Sequence, residues 1–338
     1  MPRRARRREN AARRKARLRR ARMPARWPAA KPAGAKRPLP RVVRLTAARR
    51  LSVARRRALA RGRIGGQAGP APPATLDFHL SACVSCAREG GRVLMDYWSR
   101  RGSYPIHEKG RNDFVTIVDR KAEEAVLAMI RGRFPDHSIM AEESAPSTGT
   151  SEYRWYVDPL DGTTNFIHGY PLFSVSIGLA DAEGLRAAAV FDPLRNEMFT
   201  AARGQGAFLN GQPIRVSPAE KLSQALLVTG FPFRSLERLD DFIATFRAFT
   251  LSASGIRRDG SAALDLAYVA AGRFDGFWEM ALSPWDIAAG SLLVREAGGM
   301  VTDFRGRDDF LKSGDIVAAN LNVHTPMLRV LRESERKG

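Results

Sequence analysis

Cysteine is nearly absent from this chain, with two in 338 residues. Both, Cys83 and Cys86, fall in one Cys-x-x-Cys. Without a second pair there is no structural zinc site, and the βαβ setting of a redox pair is missing. Both are read as buried or half-buried residues of a helix. So little cysteine accords with a reducing cytoplasm, the expected location. Long apolar runs are missing too. No stretch reaches 18 apolar residues, so neither a membrane-spanning helix nor a membrane partner is expected. Acids are missing from the first 75 positions, where Glu9 stands alone against 25 Lys and Arg, a net charge of +24. The other 263 residues carry 34 acids and 30 Lys and Arg, a net of −4. The pI of about 11 therefore belongs to the leading segment. That segment is Arg, Ala and Pro with few large apolar residues. It cannot bury enough surface to offset chain entropy, so disorder is expected there, with short helices at 8–22 and 43–62.

What is present is concentrated in a few acidic motifs. Residues 158–165 read Asp-Pro-Leu-Asp-Gly-Thr-Thr-Asn. The aromatic and β-branched stretch Tyr153–Val157 before them reads as a short buried strand ending at a proline turn. Strand-end acids followed by Gly-Thr-Thr form a loop that holds cations with carboxylates and offers N–H groups to an anion. That is the equipment of metal-assisted phosphoryl transfer. An Asp-x-x-Asp-Gly turn can equally be structural. Two further sites match it. Ser138–Ala141 is an apolar run ending in Glu142-Glu143, and Pro284-Trp285-Asp286 opens a helix of small residues. Read alone, Glu142 and Glu143 fit a solvated turn and Asp286 fits a helix N-cap. Together, Glu142, Asp158, Asp161 and Asp286 each close an apolar segment. If the fold gathers those ends, four negative charges meet in one cleft and repel each other unless cations neutralise them. Their hard oxygen donors favour Mg²⁺ or Mn²⁺ over zinc.

Taken in order, Glu142-Glu143, Asp158-Pro-Leu-Asp161-Gly-Thr163 and Trp285-Asp286-x-x-x-Gly290 resemble the three-part signature of the lithium-sensitive, Mg²⁺-dependent phosphatases. The resemblance is to the bacterial inositol-1-monophosphatase branch. Lys109–Asp119, Asp192–Glu197, Gly230–Phe233 and Gly260–Tyr268 resemble further motifs of that family. The similarity runs from about Leu76 to about Arg332. No motif departs from the pattern at a ligand position, and Ala141 is a peripheral departure.

The resemblance implies an α/β (α+β) fold, a layered α-β-α-β-α sandwich of the sugar-phosphatase type. It implies two or three Mg²⁺ ions, with Mn²⁺ as an alternative. Glu142, Asp158 and the Leu160 carbonyl would hold the first; Asp158, Asp161 and Asp286 the second; a third, weaker ion would lie near Glu142. Ion-activated water would be the nucleophile, oriented by Thr163, itself positioned by Glu142 and the Thr116/Asp119 pair. Thr163 could instead simply finish the turn. The N–H groups of Gly162 and Thr163 would cradle phosphate. Glu279 and Asp286 would accept hydrogen bonds from ring hydroxyls, beside Gly260, Ser261 and Ala262, with Arg257 meeting the polyol or a partner subunit. Read alone, Glu279 is equally a surface acid at a strand end. The implied substrate is a small phosphate ester, most simply myo-inositol 1-phosphate. Fructose 1,6-bisphosphate, histidinol phosphate and adenosine 3′,5′-bisphosphate are the alternatives. No cluster of Lys and Arg stands out near the pocket for a second phosphate. The resemblance also implies a homodimer. A different class of function comes with it, transcription antitermination through RNA polymerase and RNA, since enterobacterial members of the family serve there.

The organisation expected is a tail over 1–75 and one catalytic domain over 76–338. The tail has three readings: a basic arm for nucleic-acid phosphates, an Arg-rich targeting segment, or upstream sequence read through from a misplaced start. The last is favoured because every family motif lies beyond it. Within the domain, helices are expected at 76–101, 117–133, 235–250, 261–271, 287–297 and 323–333. Strands are expected at 138–142, 153–158, 173–180, 185–191, 197–202, 274–279, 300–304 and 315–319, with a hairpin turn at Asn210-Gly211.

Overall fold

The structure is a computed structural model that describes residues 77–100, 106–110 and 113–335. The basic tail and the helices expected at 8–22 and 43–62 lie outside the described residues. The first helix, α1 (Phe78–Trp98), is capped by Asp77, whose carboxylate accepts from the backbone N–H groups of His79 (2.8 Å) and Leu80 (3.2 Å). Both cysteines are reduced and buried on α1. A short antiparallel hairpin, β1 (Ile106–Gly110) and β2 (Asp113–Thr116), leads into α2 (Ile117–Arg133). Thr116 and Asp119 close that junction as a capping box.

The main sheet follows as β3 (Ser138–Ala141), β4 (Arg154–Asp161), β5 (Ser174–Asp181), β6 (Gly184–Asp192), β7 (Glu197–Ala202), β8 (Gly206–Leu209) and β9 (Gln212–Ile214), with neighbours in chain order. Only β3 and β4 run parallel; the rest is a meander. A short helix, α3 (Thr163–His168), separates β4 from β5. Asn210 and Gly211 both have positive φ at the β8–β9 turn, as an Asn-Gly hairpin requires.

The second sheet has the order β11-β10-β12-β14-β13, from β10 (Leu226–Thr229), β11 (Gly255–Arg257), β12 (Gly276–Glu279), β13 (Met300–Thr302) and β14 (Ile316–Ala319). Its helices are α4 (Leu239–Ser252), α5 (Ala262–Ala270), α6 (Pro284–Glu296), α7 (Phe310–Ser313) and α8 (Leu321–Glu335). The expected 235–250 helix begins as a 3₁₀ turn at Leu236–Arg238 before α4. Among the described residues no helix is long and apolar enough to cross a membrane.

Period-two alternation assigns the layers. On β4, Trp155 and Val157 face a core built with α1 and α2, whereas Tyr156 faces a core built with α5 and α6. On β12, Phe277 joins the α5/α6 core and Trp278 joins a third core with α4 and α8. Helices therefore cover both faces of both sheets, in the order α1/α2, seven-stranded sheet, α5/α6, five-stranded sheet, α4/α8. This is the five-layer α-β-α-β-α sandwich.

The central layer must be thin and apolar on all sides, which explains its composition. All nine residues of α5 are buried, and so are Asp286–Val294 of α6. A Cβ on Gly178 of β5 would lie 3.1 Å from Ala288 Cβ of α6. A Cβ on Gly290 would lie 2.5 Å from Leu266 Cβ of α5. The latter contact meets the stem of Leu266, not its flexible end, so the two helices would have to part. Gly290→Ala is expected to cost about 1–3 kcal/mol through overpacking, measured as a lower urea midpoint with an unchanged denaturant slope. A wild-type midpoint would show that α5 and α6 separate freely.

Candidate active site

The sandwich brings the ends of β3 and β4 and the first turn of α6 to one cavity of about 410 Å³. Glu142, Asp158, Leu160, Asp161, Gly162, Thr163, Gly260, Ser261, Ala262, Glu279 and Asp286 all line it. Each reaches it for a local reason. Glu142 extends β3 alongside β4, its N–H donating to the Val157 carbonyl at 3.2 Å. The next N–H, of Glu143, is tied to the Glu123 carboxylate of α2 at 2.8 Å. Asp158 and Asp161 bracket a bulge: β4 pairs with β5 at Asp158↔Ser176 and again at Asp161↔Ser174, with Pro159 and Leu160 pushed out between. The strand therefore continues through the acidic motif and does not stop at Asp158. Proline is tolerated there because a bulge spares it a ladder bond. Gly162 turns the chain into α3 with φ +93°. Asp286 is the third residue of α6, not its N-cap; Ser283 is the cap, and its N–H donates to the Asp286 carboxylate at 2.7 Å.

The side chains are held firmly. Asp161 accepts hydrogen bonds from the Ser261 hydroxyl and, at 2.8 Å, from the Ala263 N–H. The Thr163 hydroxyl lies 3.0 Å from Asp119 Oδ1 and 3.1 Å from the Leu160 carbonyl. Asp119, fully buried, also accepts from the N–H and hydroxyl of Thr116, both at 2.7 Å. Thr116 and Asp119 thus stand behind Thr163 and do not line the cavity. The Glu142 carboxylate lies 2.7 Å from a guanidinium nitrogen of Arg234.

Electrostatics reflect the crowding. Burial, then the charges of Glu142, Asp161 and Asp286, push Asp158 well above the usual carboxylate range. Burial raises Asp161 to about 6 against its hydrogen bonds from Ser261 and Ala263. Burial and Glu142 raise Asp286 to about 7 although Arg234 opposes them. Burial raises Glu279 to about 8 although Arg258 opposes it. Asp119 is raised by burial against the hydrogen bonds from Thr116. Four carboxylates and a backbone carbonyl form an all-oxygen donor set whose negative charge is costly as it stands. Hard divalent cations suit such a set. As the side chains stand, no three His, Cys, Asp or Glu among the described residues close on a common point as ligands.

Two placements differ from expectation. Arg257, on β11, is exposed, does not line the cavity, and donates to the Ile256 carbonyl at 3.1 Å. Its neighbour Arg258 lines the cavity, with its guanidinium 5.1 Å from the ring centre of Phe231 and 5.2 Å from that of Phe233. Arg234 lines it too, so two arginines border a pocket where the sequence showed no cationic cluster. The Gly230–Phe233 motif marked the loop of Arg234, which lies one residue beyond it, whereas Arg258 follows β11. Asp265 was also missed. It sits on α5, buried, with neither carboxylate oxygen in a hydrogen bond, and burial with nearby Asp259 and Glu279 pushes it well above the usual range.

Comparison with known proteins agrees with this geometry. Residues 76–336 match the model of the inositol monophosphatase family. The Nus factor SuhB of Pseudomonas aeruginosa is 48% identical over 258 residues, 75% of this chain and 95% of that protein. The crystal structure of extragenic suppressor protein SuhB from Bartonella henselae superposes with a TM-score of 0.73 at 41% identity, covering 76% of this chain and 99% of that one. An inositol monophosphatase from Anabaena superposes with a TM-score of 0.68 at 42% identity, covering 75% and 95%.

The raised acids make a pH prediction for the metal-free protein. Their unfolded-state values lie near 4, and the folded values stand at about 6 for Asp161, about 7 for Asp286 and about 8 for Glu279. Between those limits the folded state holds more protons than the unfolded chain. The stability they contribute is complete below their unfolded pKa and is lost as pH rises through the folded values. In a chelator, Tm should fall from about pH 5 to about pH 8, and millimolar Mg²⁺ should flatten the decline. A Tm that rises over that interval in the chelator would mean the acids are not crowded in solution.

Proposed function

The chain belongs to the inositol monophosphatase family, and on that premise we propose that it hydrolyses a small phosphate monoester, myo-inositol 1-phosphate in the first instance. The observation that carries this reading is the meeting of Glu142, Asp158, Asp161 and Asp286, from three distant segments, in one cavity with the Thr163–Asp119 pair. Glu142, Asp158 and the Leu160 carbonyl would hold one Mg²⁺, and Asp158, Asp161 and Asp286 a second; a third, weaker ion would bind near Glu142, and Mn²⁺ is the alternative metal. When bound, such cations supply charge neutralisation for the acids and the phosphoryl group and lower the pKa of an attacking water.

The chain's own residues do the rest. Thr163 has one hydroxyl hydrogen, held by Asp119 or the Leu160 carbonyl, which leaves its oxygen to accept a hydrogen bond from a water in the cavity it lines. A proton arriving at Thr163 Oγ1 can be matched by one passing to Asp119, whose burial makes it a stronger base than an exposed aspartate. The N–H groups of Gly162 and Thr163 would receive the phosphate oxygens. Glu279, with Asp286 and the Gly260–Ala262 turn, would receive ring hydroxyls. Gly230 supports this use of Glu279: a Cβ there would lie 2.0 Å from Glu279 Oε1, so only glycine lets the carboxylate lie where it does. Because Arg234 and Arg258 border the cavity, fructose 1,6-bisphosphate and adenosine 3′,5′-bisphosphate belong in any substrate test, along with histidinol phosphate.

The test is phosphate release over that panel, with and without Mg²⁺, for the wild type and two variants. Asp161→Asn keeps the shape and removes one charge, and kcat should fall by ~10²-fold or more. Ordinary turnover would sink the metal assignment. Glu279→Gln should lower kcat/KM on inositol 1-phosphate by ~10- to 100-fold, the worth of a charged acceptor to a hydroxyl, and by much less on an aryl phosphate. Equal losses on both would return Glu279 to a supporting role.

A second reading rests on a different observation. A relative at 48% identity carries the name Nus factor, which favours a transcription role on the same fold, with RNA polymerase as a partner. The acid cluster has no part in such a role. Capture of RNA polymerase by the Asp161→Asn variant as well as by the wild type would support it; failure of both to capture would set it aside.

A further inference from the structure

We propose that Arg234 is a built-in placeholder cation: it holds Glu142 and Asp286 while the acid cluster is metal-free and must release them when divalent ions load. The inference rests on the metal-dependent reading above. Its geometric basis is a bridge. One guanidinium nitrogen lies 2.7 Å from Glu142 Oε1 and the other 3.9 Å from Asp286 Oδ2. Those two acids come from separate elements, one just after β3 and one in the first turn of α6. A single guanidinium between them supplies positive charge where cations would otherwise be needed.

The loop that carries Arg234 is built to present it. Downstream, Arg238 grips the Asp315 carboxylate with both terminal nitrogens. Upstream, Arg258 stacks against Phe231 and Phe233. Between these anchors the backbone makes two tight turns, Phe233 N–H to the Phe231 carbonyl at 2.8 Å and Ser235 N–H to the Pro232 carbonyl at 3.0 Å. Arg234 stands at the crest with 43% of its side chain exposed. It therefore has water on one side to retreat into, which a buried partner would lack.

Competition follows from charge and space. Arg234 engages two of the acids that would hold the divalent ions, and like charges repel at such range. The guanidinium should therefore weaken metal binding and stabilise the metal-free protein. Release should loosen residues 230–238, so metal loading and the Phe231–Phe233 wall of the pocket become linked. Salt should weaken the effect, since the pair is half open to solvent.

The test is calorimetric titration of Mn²⁺ into the full chain after chelation, at low and high salt. Arg234→Met keeps the bulk of the stem and removes the charge; it should bind Mn²⁺ about 3- to 10-fold more tightly at low salt and should melt at a lower temperature in the chelator. Arg234→Lys, which keeps the charge, should stay near the wild type. Hydrogen exchange of 230–238 should rise on Mn²⁺ addition in the wild type and much less in Arg234→Met. Equal Mn²⁺ affinity in the wild type and Arg234→Met, while Asp161→Asn binds more weakly, would overturn the placeholder and leave the phosphatase reading standing. No Mn²⁺ binding to any form would overturn both.

Discussion

Mutual repulsion among buried carboxylates is the constraint on which the rest of this molecule turns. Asp158, Asp161 and Asp286 are withdrawn from water within one cavity, with Glu142 at its edge. Neighbouring acids add to burial in pushing Asp158 and Asp286 toward the protonated form, and for Asp286 Arg234 opposes them. A protein has three ways to live with such a cluster: protonate it, pair it with its own cations, or bind foreign ones. Burial favours the first for these acids, and Arg234 supplies the second. The chemistry proposed for the site needs the third. The scaffold must therefore be stable enough to hold the acids together without help.

The five layers supply that rigidity. The acids are not carried on flexible loops but at the termini of β3, β4 and α6, and each terminus is pinned. Asp286 is fixed by the cap it makes with Ser283. Asp161 is fixed by Ser261 and Ala263 at the start of α5. The bulge in β4 exists only because β5 resumes pairing beyond it. The small-residue packing of α5 and α6 has a functional consequence at this point. Widening that layer would move Ser261 and Asp286 relative to Asp161, so Gly178 and Gly290 help to set distances at the site although they lie away from it.

Much of this was legible in the residues, and the reasons differ by region. The meander of β5 to β7 shows itself because Val175, Ile177 and Leu179 alternate cleanly and turn residues separate the runs. The acid motifs show themselves because each ends an apolar run. Their convergence was not legible from spacing; it came from resemblance to a family, and the structure supports it. The continuation of β4 through Asp158-Pro159 was hidden because proline reads as a stop unless the partner strand is known. The strands at 226–229 and 255–257 were missed, each being too short to show a period before its neighbours are in place. Arg234 and Arg258 were missed because cationic surroundings are a property of space. They lie 24 residues apart and share no local pattern.

Read along the chain, the site is a set of acids waiting for metal. Seen in the fold, it is a balanced arrangement in which two arginines border the acids, one bridging Glu142 and Asp286 and the other stacked on Phe231 and Phe233 beside Glu279. Arg234 belongs electrically to the acid cluster and mechanically to the wall of the pocket. Any change in the charge of the cluster is therefore felt at that wall. On the metal-dependent reading proposed above, cation and substrate affinities would be coupled through that one side chain. Arg238 and Asp315 hold the far end of the loop to the start of β14, which would limit how far the coupling travels.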